Sequence, residues 1–167
     1  VEILPQRGSR VALIDLKLVE EAGFFRRTLE CAVVKLVCEK AAGKELSDDF
    51  VLALKANLNL QDFYLENPVP DKLMELDNEF HHLLFSCVDK ERCYRMCCDM
   101  GIHFDRIRHL ALHTVKELKI VGDHHDILSA ICACDADRAY ALMAAHLTRF
   151  EIDEKLIKNE YPEYFVN

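Results

Sequence analysis

The segment most suggestive of chemistry is LDNEFHHLL, residues 76–84. It places Asp77 and His81 four residues apart, a spacing that puts both side chains on one face of an α-helix. Leu73 and Leu84 continue the same face, which gives it the apolar character of a buried surface. Burying an ionisable pair is costly unless something compensates the lost hydration. These two residues therefore predict a buried polar site.

Two further histidines lie on apolar faces of predicted helices. His124 shares a face with Ile127, and His146 shares one with Met143. The turn between the two helices centres on Asp135, and each histidine is eleven residues from it, one before and one after. In an antiparallel helix pair, equal distance from the turn means equal height, here about 16 Å along each helix. The two imidazoles are therefore predicted to face each other at one level of the core.

These four groups together predict a metal site. Three neutral imidazoles and one carboxylate suit Zn²⁺, Ni²⁺ or a similar divalent ion. Helical bundles often hold metals in this way, with ligands that project inward from facing helices. The alternative is that each histidine is simply a hydrogen-bonded core residue. Helical periodicity also leaves open whether His124 or its neighbour His125 is the inward residue.

The elements that must position these groups are helices. Ser47 and Asp135 are good N-cap residues, and Gly43 suits the position just past a helix end. Arg26 and Glu30 are four apart, a spacing suited to an ion pair. Apolar periodicity predicts six helices, at about residues 18–42, 47–66, 70–88, 90–113, 117–134 and 136–160. The predicted fold class is all-α, an antiparallel bundle of six to seven helices.

The N-terminal residues 1–16 differ from the rest of the chain. Two β-type runs flank Pro-Gln-Arg-Gly-Ser, which is a turn signal. A lone hairpin is marginal in water. It is therefore predicted to be the remainder of another unit or an arm that packs on a neighbour, and the alternative is a tail without fixed structure.

Composition narrows the class of protein. A length of 167 residues suits one domain with a full core, and a net charge of −8 disfavours nucleic-acid binding across this surface. No run of 18 apolar residues exists, so no membrane span is expected, and no signal peptide is visible. The eight cysteines form no CxxC pair, which favours reduced thiols. Six of them are predicted to be core residues, namely Cys31, Cys38, Cys97, Cys98, Cys132 and Cys134.

Three segments carry the predicted ligands, namely LDNEFH, DHHDILSAI and CDADRAYALMAAHL. They resemble the metal-site segments of the FCD effector-binding domain, which is the C-terminal half of FadR-subfamily GntR transcription regulators. In that pattern an acidic residue precedes the second-helix histidine, so Asp123 selects His124 over His125. The resemblance thus implies four metal ligands: Asp77, His81, His124 and His146.

Three other stretches are similar to parts of these regulators. FFRRTLE resembles the first-helix motif, HFDRIRHLAL an arginine-bearing fourth helix, and LPQRGSRVALID the wing and linker of a winged helix-turn-helix. The resemblance implies a wing-and-linker remnant over residues 1–16, with Arg7 and Gly8 as DNA-contacting residues. It implies an effector-binding domain over residues 17–167, and DNA-reading helices that would precede residue 1.

The function implied by the resemblance is that of a ligand-responsive transcription regulator, cytoplasmic and homodimeric. A divalent metal, zinc or nickel first, and a small carboxylate or sugar-acid effector would modulate DNA binding. An arginine fork would hold the effector carboxylate, with Arg106 as first choice, Arg26 as second and Arg108 as third. One alternative is a purely structural metal site or a four-helix interaction domain. The other is a metal-dependent hydrolase or other metalloenzyme, in which the metal activates water. Against it, no Glu, Cys or Ser is clearly placed as base or nucleophile.

Overall fold

The computed structural model describes residues 2–4, 7–114 and 119–166, and these fold into a helical bundle. The prediction of an all-α bundle is confirmed. No helix within those ranges is long and apolar enough to cross a membrane. The helices are α1 (Leu16–Ala42), α2 (Asp48–Glu66), α3 (Pro70–Cys87), α4 (Glu91–Met100), α5 (Ile102–Thr114), α6 (Ile120–Cys132), α7 (Ala136–Leu147) and α8 (Arg149–Glu160).

The helix starts follow the capping residues. Asp15 accepts a hydrogen bond from the Lys17 N–H at the start of α1 (2.9 Å). Ser47 Oγ accepts from the Phe50 N–H at the start of α2 (3.2 Å). Asp135 caps α7 in the same way. These side chains satisfy N–H groups that have no partner within the helix, so they fix where each helix begins.

Two of the predicted helices are each broken in two, so eight helices rather than six or seven occur in the described part of the chain. The helix expected over 90–113 breaks at Gly101, whose N–H bonds back to the Cys98 carbonyl (3.1 Å). Glycine is a poor helix former, so a break is cheap there. The helix expected over 136–160 breaks at Thr148, whose hydroxyl donates to the Ala144 carbonyl (3.1 Å) and so competes with the helical bond.

The longest helix, α1, is the central element of the bundle. It packs against α7 most extensively, and also against α3, α4, α5 and α6. The main apolar cluster lies between α1, α2, α3, α4, α6 and α7, and its largest fully buried side chains include Phe80, Phe85, Leu54, Ile127 and Met143. The predicted polar site must therefore lie within this well-packed interior.

A second, smaller apolar cluster lies where α5 and α8 meet the start of α1. Ile14, just before α1, forms a parallel bridge with Phe165 near the end of the chain. The Ile14 N–H donates to the Tyr164 carbonyl (2.7 Å), and the Val166 N–H donates to the Ile14 carbonyl (2.9 Å). The cluster fixes the segment between the hairpin and α1, and consists of Ile14, Val19, Ala22, Phe104, Ile107, Ile157 and Phe165.

The N-terminal residues form the expected hairpin. Strands β1 (Glu2–Leu4) and β2 (Gly8–Arg10) pair antiparallel, with Leu4 opposite Gly8. Gly8 has φ +92°, a backbone conformation that favours glycine. Residues 5–6 of the predicted turn lie outside the described part of the chain. Arg7 is exposed at the turn.

The cysteines are all free thiols, and no disulfide links them. Cys31, Cys38 and Cys97 are buried, as the apolar patterns predict. The prediction is wrong for the other three core candidates, since Cys98, Cys132 and Cys134 are exposed. Cys98 follows the inward-facing Cys97 by one residue, about 100° further around α4. The other two lie at the exposed α6–α7 turn.

Candidate metal centre

Four ligand-type side chains converge in the bundle core. These four residues form the quartet: Asp77 and His81 come from α3, His124 from α6 and His146 from α7. Each offers one ligand atom, and these atoms all lie within 4.8 Å of one another. The exposed fractions are 8% for Asp77, 1% for His81, 0% for His124 and 8% for His146. The period of each helix turns these residues inward, as the apolar stripes predict.

The three imidazoles present the same nitrogen to a common point. The Nε2 atom of His146 lies 3.2 Å from Nε2 of His81 and 3.2 Å from Nε2 of His124. The Asp77 carboxylate completes the set, with Oδ1 3.5 Å from His124 Nε2 and Oδ2 3.9 Å from His81 Nε2. The contact between His124 and His146 agrees with the prediction that these residues lie at the same height on α6 and α7.

Each imidazole has an acceptor at its other nitrogen. Nδ1 of His81 contacts the Glu30 carboxylate of α1. Nδ1 of His124 lies 2.9 Å from Oε1 of Gln61 on α2. Nδ1 of His146 lies 3.3 Å from Oδ2 of Asp123 on α6. An acceptor at Nδ1 favours the tautomer that carries its proton there, which leaves a lone pair on Nε2.

The charges around the centre keep the two carboxylate acceptors, Glu30 and Asp123, ionised. Burial alone would raise the pKa of Glu30, but Arg26 and His81 outweigh it and lower that pKa to about 2. Burial would likewise raise the pKa of Asp123, but hydrogen bonds from His146 and Arg149 lower it to about 2. Burial also lowers the pKa of the His81 imidazole, since it disfavours the charged ring. The Glu30 and Asp123 carboxylates are therefore charged next to the imidazoles that they contact.

His124 is the most enclosed of the three imidazoles. Its pKa lies well below the ordinary value, first because of burial and then because of His146. Its ring stacks on Phe80, with centroids 4.0 Å apart and planes 17° apart. The ring is therefore neutral, fixed in plane and shielded from water.

The donor set fits a divalent cation. In the tautomers that the Nδ1 partners favour, three Nε2 lone pairs meet in a space shielded from solvent. Such a group of acceptors is unfavourable unless a positive group lies between them. Three imidazole nitrogens and a carboxylate oxygen are ligands that Zn²⁺ and Ni²⁺ accept. The residues can thus hold such an ion.

Asp77 also pairs with an arginine. Arg108 of α5 forms an ion pair with Oδ2 of Asp77, and its Nη1 donates to Oδ1 of Asp105 (2.7 Å) and to Oδ1 of Asn78 (3.0 Å). Burial would raise the pKa of the Asp77 carboxyl, but Arg108 and the neighbouring His81 hold it well below its usual range. Arg108 is therefore the arginine candidate in direct contact with the quartet.

Arg26 lies beside the quartet without touching it. Its Nε donates to Glu30, the predicted i,i+4 partner. Its guanidinium carbon lies 5.6 Å from the ring centroid of Phe104, and that of Arg108 lies 5.9 Å from the same centroid. Both distances are typical of cation–π contacts. Two guanidinium groups thus contact the same aromatic ring near Asp77.

Arg106 lies elsewhere. Its Nη1 donates to the carbonyl of Ala12 (2.6 Å), in the segment between the hairpin and α1. The structure therefore does not bring this first-choice effector residue to the quartet. It lies two residues from Arg108 on α5, which places the two guanidiniums on different sides of that helix.

The other histidines near the quartet in sequence are at the surface. His125 is 46% exposed at its side chain and lies 3.0 Å from an Asp62 oxygen. His82 is 42% exposed and pairs with Glu91 (2.8 Å). Helical periodicity left the choice between His124 and His125 open. The structure turns His124 inward, in agreement with the family pattern.

Sequence reasoning missed the polar residues of α2. Asn57 and Gln61 are buried, 3% and 1% exposed, on the same face as Leu54 and Leu58. Their position on an apolar helix face could have identified them, because a polar residue on such a face predicts a buried polar site, as it did for Asp77. Arg149 was also missed, and its Nη2 donates to Asp123 (2.5 Å) from the start of α8.

Comparisons with known proteins agree with this architecture. The chain matches the FCD domain family over residues 21–149. It is 28% identical over 166 residues to the HTH-type transcriptional repressor RspR of Escherichia coli K12, covering 99% of this chain and 71% of that protein. It is 27% identical over 169 residues to an uncharacterized HTH-type transcriptional regulator in an unstable DNA locus of Streptomyces ambofaciens, covering 99% and 67%.

The fold and its relatives define a regulatory helical domain of transcription regulators. The chain belongs to the FCD domain family. The prediction of family is therefore confirmed, and so is the prediction that the chain is not an enzyme, because its relatives are named transcriptional regulators. The metalloenzyme alternative has no support from these relatives.

Proposed function

We propose that this chain is the sensor domain of a GntR-family transcription regulator. In this proposal Asp77, His81, His124 and His146 hold a divalent metal ion, zinc or nickel, and a small carboxylate or sugar-acid effector binds beside it. When bound, the metal supplies Lewis-acid attraction for a carboxylate at any position that the four ligands leave open. The observation that carries the proposal is the convergence of four buried ligand atoms within 4.8 Å.

The effector would approach from the side of the arginines. Arg108 contacts Asp77, and it shares the Phe104 ring with Arg26. A guanidinium presents parallel N–H groups that match a carboxylate, so either arginine could hold an acidic effector next to the metal. Arg108 becomes the first candidate and Arg26 the second. Arg106 would have to leave the Ala12 carbonyl before it could take part.

The same helix offers a physical route from the effector site to the N-terminal segment. On α5, Arg108 contacts the ligand Asp77, while Arg106 holds the Ala12 carbonyl. The Asp15 N–H donates to His103 Nδ1 at the start of α5 (3.1 Å). A shift of α5 on effector binding would therefore move the segment that follows the hairpin, which is the kind of coupling that switching domains use.

DNA binding is proposed by analogy with the relatives, whose names describe HTH-type regulators. The hairpin over residues 2–4 and 8–10 would be the wing of such a domain, with Arg7 and Gly8 next to the DNA backbone. The working form would be a cytoplasmic homodimer. Residues 1–16 would then link the DNA-binding unit to the sensor over residues 17–167.

A pair of adjacent histidines provides the test. The chain is stripped with chelator, dialysed against Zn²⁺ or Ni²⁺, and assayed for bound metal and affinity. We expect one ion per chain. His124→Ala should weaken binding by more than about 100-fold, since even residues that only orient a ligand contribute about 10–100-fold. His125→Ala is the matched control and should bind as the wild type does.

The loaded chain is then titrated calorimetrically with di- and tricarboxylates and with sugar acids. We expect binding that requires metal and that Arg108→Met weakens. A wild-type chain that takes up neither metal would contradict the proposal. Full metal occupancy in a His146→Ala variant would contradict the ligand set.

A further inference from the structure

We infer that Asn57 and Gln61 of α2 are positioning residues for the metal centre. They fix the imidazole of His124 in the tautomer that presents an Nε2 lone pair to the other ligands. This inference rests on the proposed function, because it assigns a role toward the proposed metal. It concerns a helix that contributes no residue to the quartet.

A chain of hydrogen bonds runs from the Leu76 carbonyl through Asn57 and Gln61 to His124. Asn57 Nδ2 donates to the carbonyl of Leu76 (3.1 Å) and to Oε2 of Glu79 (2.9 Å). A backbone carbonyl can only accept, so the amide nitrogen of Asn57 must face it. The carbonyl oxygen of the Asn57 side chain must then point the other way, toward Gln61.

That orientation sets the next amide. Gln61 Nε2 donates to Oδ1 of Asn57 (2.6 Å), so the oxygen Oε1 of Gln61 faces His124. Nδ1 of His124 lies 2.9 Å from that oxygen. Because Oε1 only accepts, Nδ1 must carry the proton, and the neutral ring keeps its lone pair on Nε2. The direction of every bond follows from the Leu76 carbonyl.

His124 depends on such a chain more than the other two imidazoles do. His81 and His146 contact carboxylates, Glu30 and Asp123, which accept from either oxygen. A glutamine amide can present either an acceptor or a donor. Without Asn57, the amide nitrogen of Gln61 would keep only its longer hydrogen bond to the Leu76 carbonyl (3.4 Å), and the amide could turn and offer N–H to Nδ1. The proton of His124 would then move to Nε2 and point at His146, and that nitrogen would no longer be a ligand.

The hydrogen-bonded residues are buried, so no other partner can easily replace a lost bond. Asn57, Gln61 and His124 are 3%, 1% and 0% exposed, so water has little access to replace a lost bond. Phe80 fixes the plane of the His124 ring by stacking, but an aromatic face does not choose which nitrogen is protonated. The Asp77 carboxylate, 3.5 Å from Nε2, would favour a proton on that nitrogen, so the Nδ1–H form depends on the acceptor that the two amides present to Nδ1.

The test begins with Gln61→Met, which keeps the length and removes both polar atoms. In the metal-free chain, nitrogen-15 NMR of the imidazoles should report the Nδ1–H tautomer for His124 in the wild type. In the variant it should report a shift toward Nε2–H. Affinity for Zn²⁺ should fall by about 10–100-fold, the range found for residues that orient a ligand. Asn57→Leu should also shift the His124 tautomer toward Nε2–H and lower the affinity for Zn²⁺.

Gln61→Glu separates positioning from a structural role. A carboxylate accepts from Nδ1, and a protonated acid can donate to Asn57 while its carbonyl oxygen still accepts from Nδ1. In both forms His124 should keep the Nδ1–H tautomer, and Zn²⁺ affinity should lie closer to the wild type than that of Gln61→Met. If Gln61 had a purely structural role, Zn²⁺ affinity would follow the thermal stability of each variant. Gln61→Glu would then lower both more than Gln61→Met does, because it buries an acid.

The matched control uses the neighbouring pair on the same two helices. Asp62 of α2 contacts His125 of α6 at the surface, so Asp62→Asn should change neither the His124 tautomer nor the Zn²⁺ affinity. If the wild type binds Zn²⁺ and Gln61→Met binds it equally well with an unchanged tautomer, the inference is overturned and the proposed function stands. If the wild type binds no metal, the proposed function fails, and the tautomer measurement still decides the role of Gln61.

Discussion

The Nδ1 atom of each candidate ligand histidine contacts a side chain from a different helix. Glu30 of α1 contacts His81, Gln61 of α2 contacts His124, and Asp123 of α6 contacts His146. These partners aim three Nε2 atoms at one point and tie the centre to most of the bundle. A substitution at a partner should therefore change both the site and the stability of the fold.

Glu30→Gln tests this at the level of one residue. The Glu30 carboxylate lies between Arg26 and His81 and is 2% exposed. Its loss leaves the Arg26 guanidinium without its carboxylate partner in a buried position, which costs about 3–5 kcal/mol. We expect the free energy of unfolding to fall by that amount in denaturant titrations of the metal-free chain.

The control for this variant is Glu21→Gln, on the same helix at an exposed position. It should change the free energy of unfolding by less than about 0.5 kcal/mol. An unfolding transition of Glu30→Gln that coincides with that of the wild type would show that the buried pair contributes nothing to stability.

At the level of elements, the turn between α6 and α7 sets the geometry of the centre. It places His124 and His146 at equal distance from Asp135, so their Nε2 atoms meet at 3.2 Å. Asp135 caps α7 by accepting from the Arg138 N–H (3.0 Å). The α7–α8 break at Thr148 then lets Arg149 reach Asp123, the partner of His146. Helix ends thus position the ligands as much as helix faces do.

Asp135→Ala tests the cap. Loss of the side-chain acceptor leaves an N–H of the first turn unpaired, which costs about 1 kcal/mol. We expect that loss in the free energy of unfolding, measured by circular dichroism in urea. Asp137→Ala is the control, because Asp137 lies in the same turn of α7 and does not cap it. Equal losses in the two variants would assign the effect to helix-dipole charge instead of to the cap.

At the level of the whole molecule, the two apolar clusters stabilise different parts of the fold. The main cluster encloses the quartet, and the smaller one anchors Ile14 and the chain end. Helix α5 joins them, because it carries Arg108 at the quartet and Arg106 at the Ala12 carbonyl. The segment after the hairpin is therefore connected to the candidate effector site through one helix.

Arg106→Met tests that connection. Removing the bond to Ala12 should loosen the segment over residues 11–15, so its amides should exchange hydrogen faster, by mass spectrometry, than in the wild type. In the wild type, Zn²⁺ should slow exchange in the same segment, and in the variant this response should shrink. Arg92→Met, at an exposed position of α4, is the control. An undiminished response in Arg106→Met would exclude Arg106 as the link.

The sequence by itself determined most helix positions, the caps at Ser47 and Asp135, and the inward faces of Asp77, His81 and His146, because periodicity and capping are local properties. Asp77 and His81 stood out since charged and polar groups are rare on an apolar stripe, and equal spacing from Asp135 predicted that His124 would meet His146. Tertiary structure alone decided contacts between distant helices. Arg106 and Arg108 differ by only two positions, yet one contacts Ala12 and the other Asp77.

The contacts that α2 makes, and those made by the chain just after the break at Thr148, were likewise decided only by packing. Gln61 has no local feature that pairs it with His124, which is 63 residues away in sequence. The break at Thr148 depends on a hydroxyl that most helices tolerate, and it brings Arg149 to Asp123. Periodicity specifies which face of a helix is buried, but the neighbour it meets depends on how all the helices pack together.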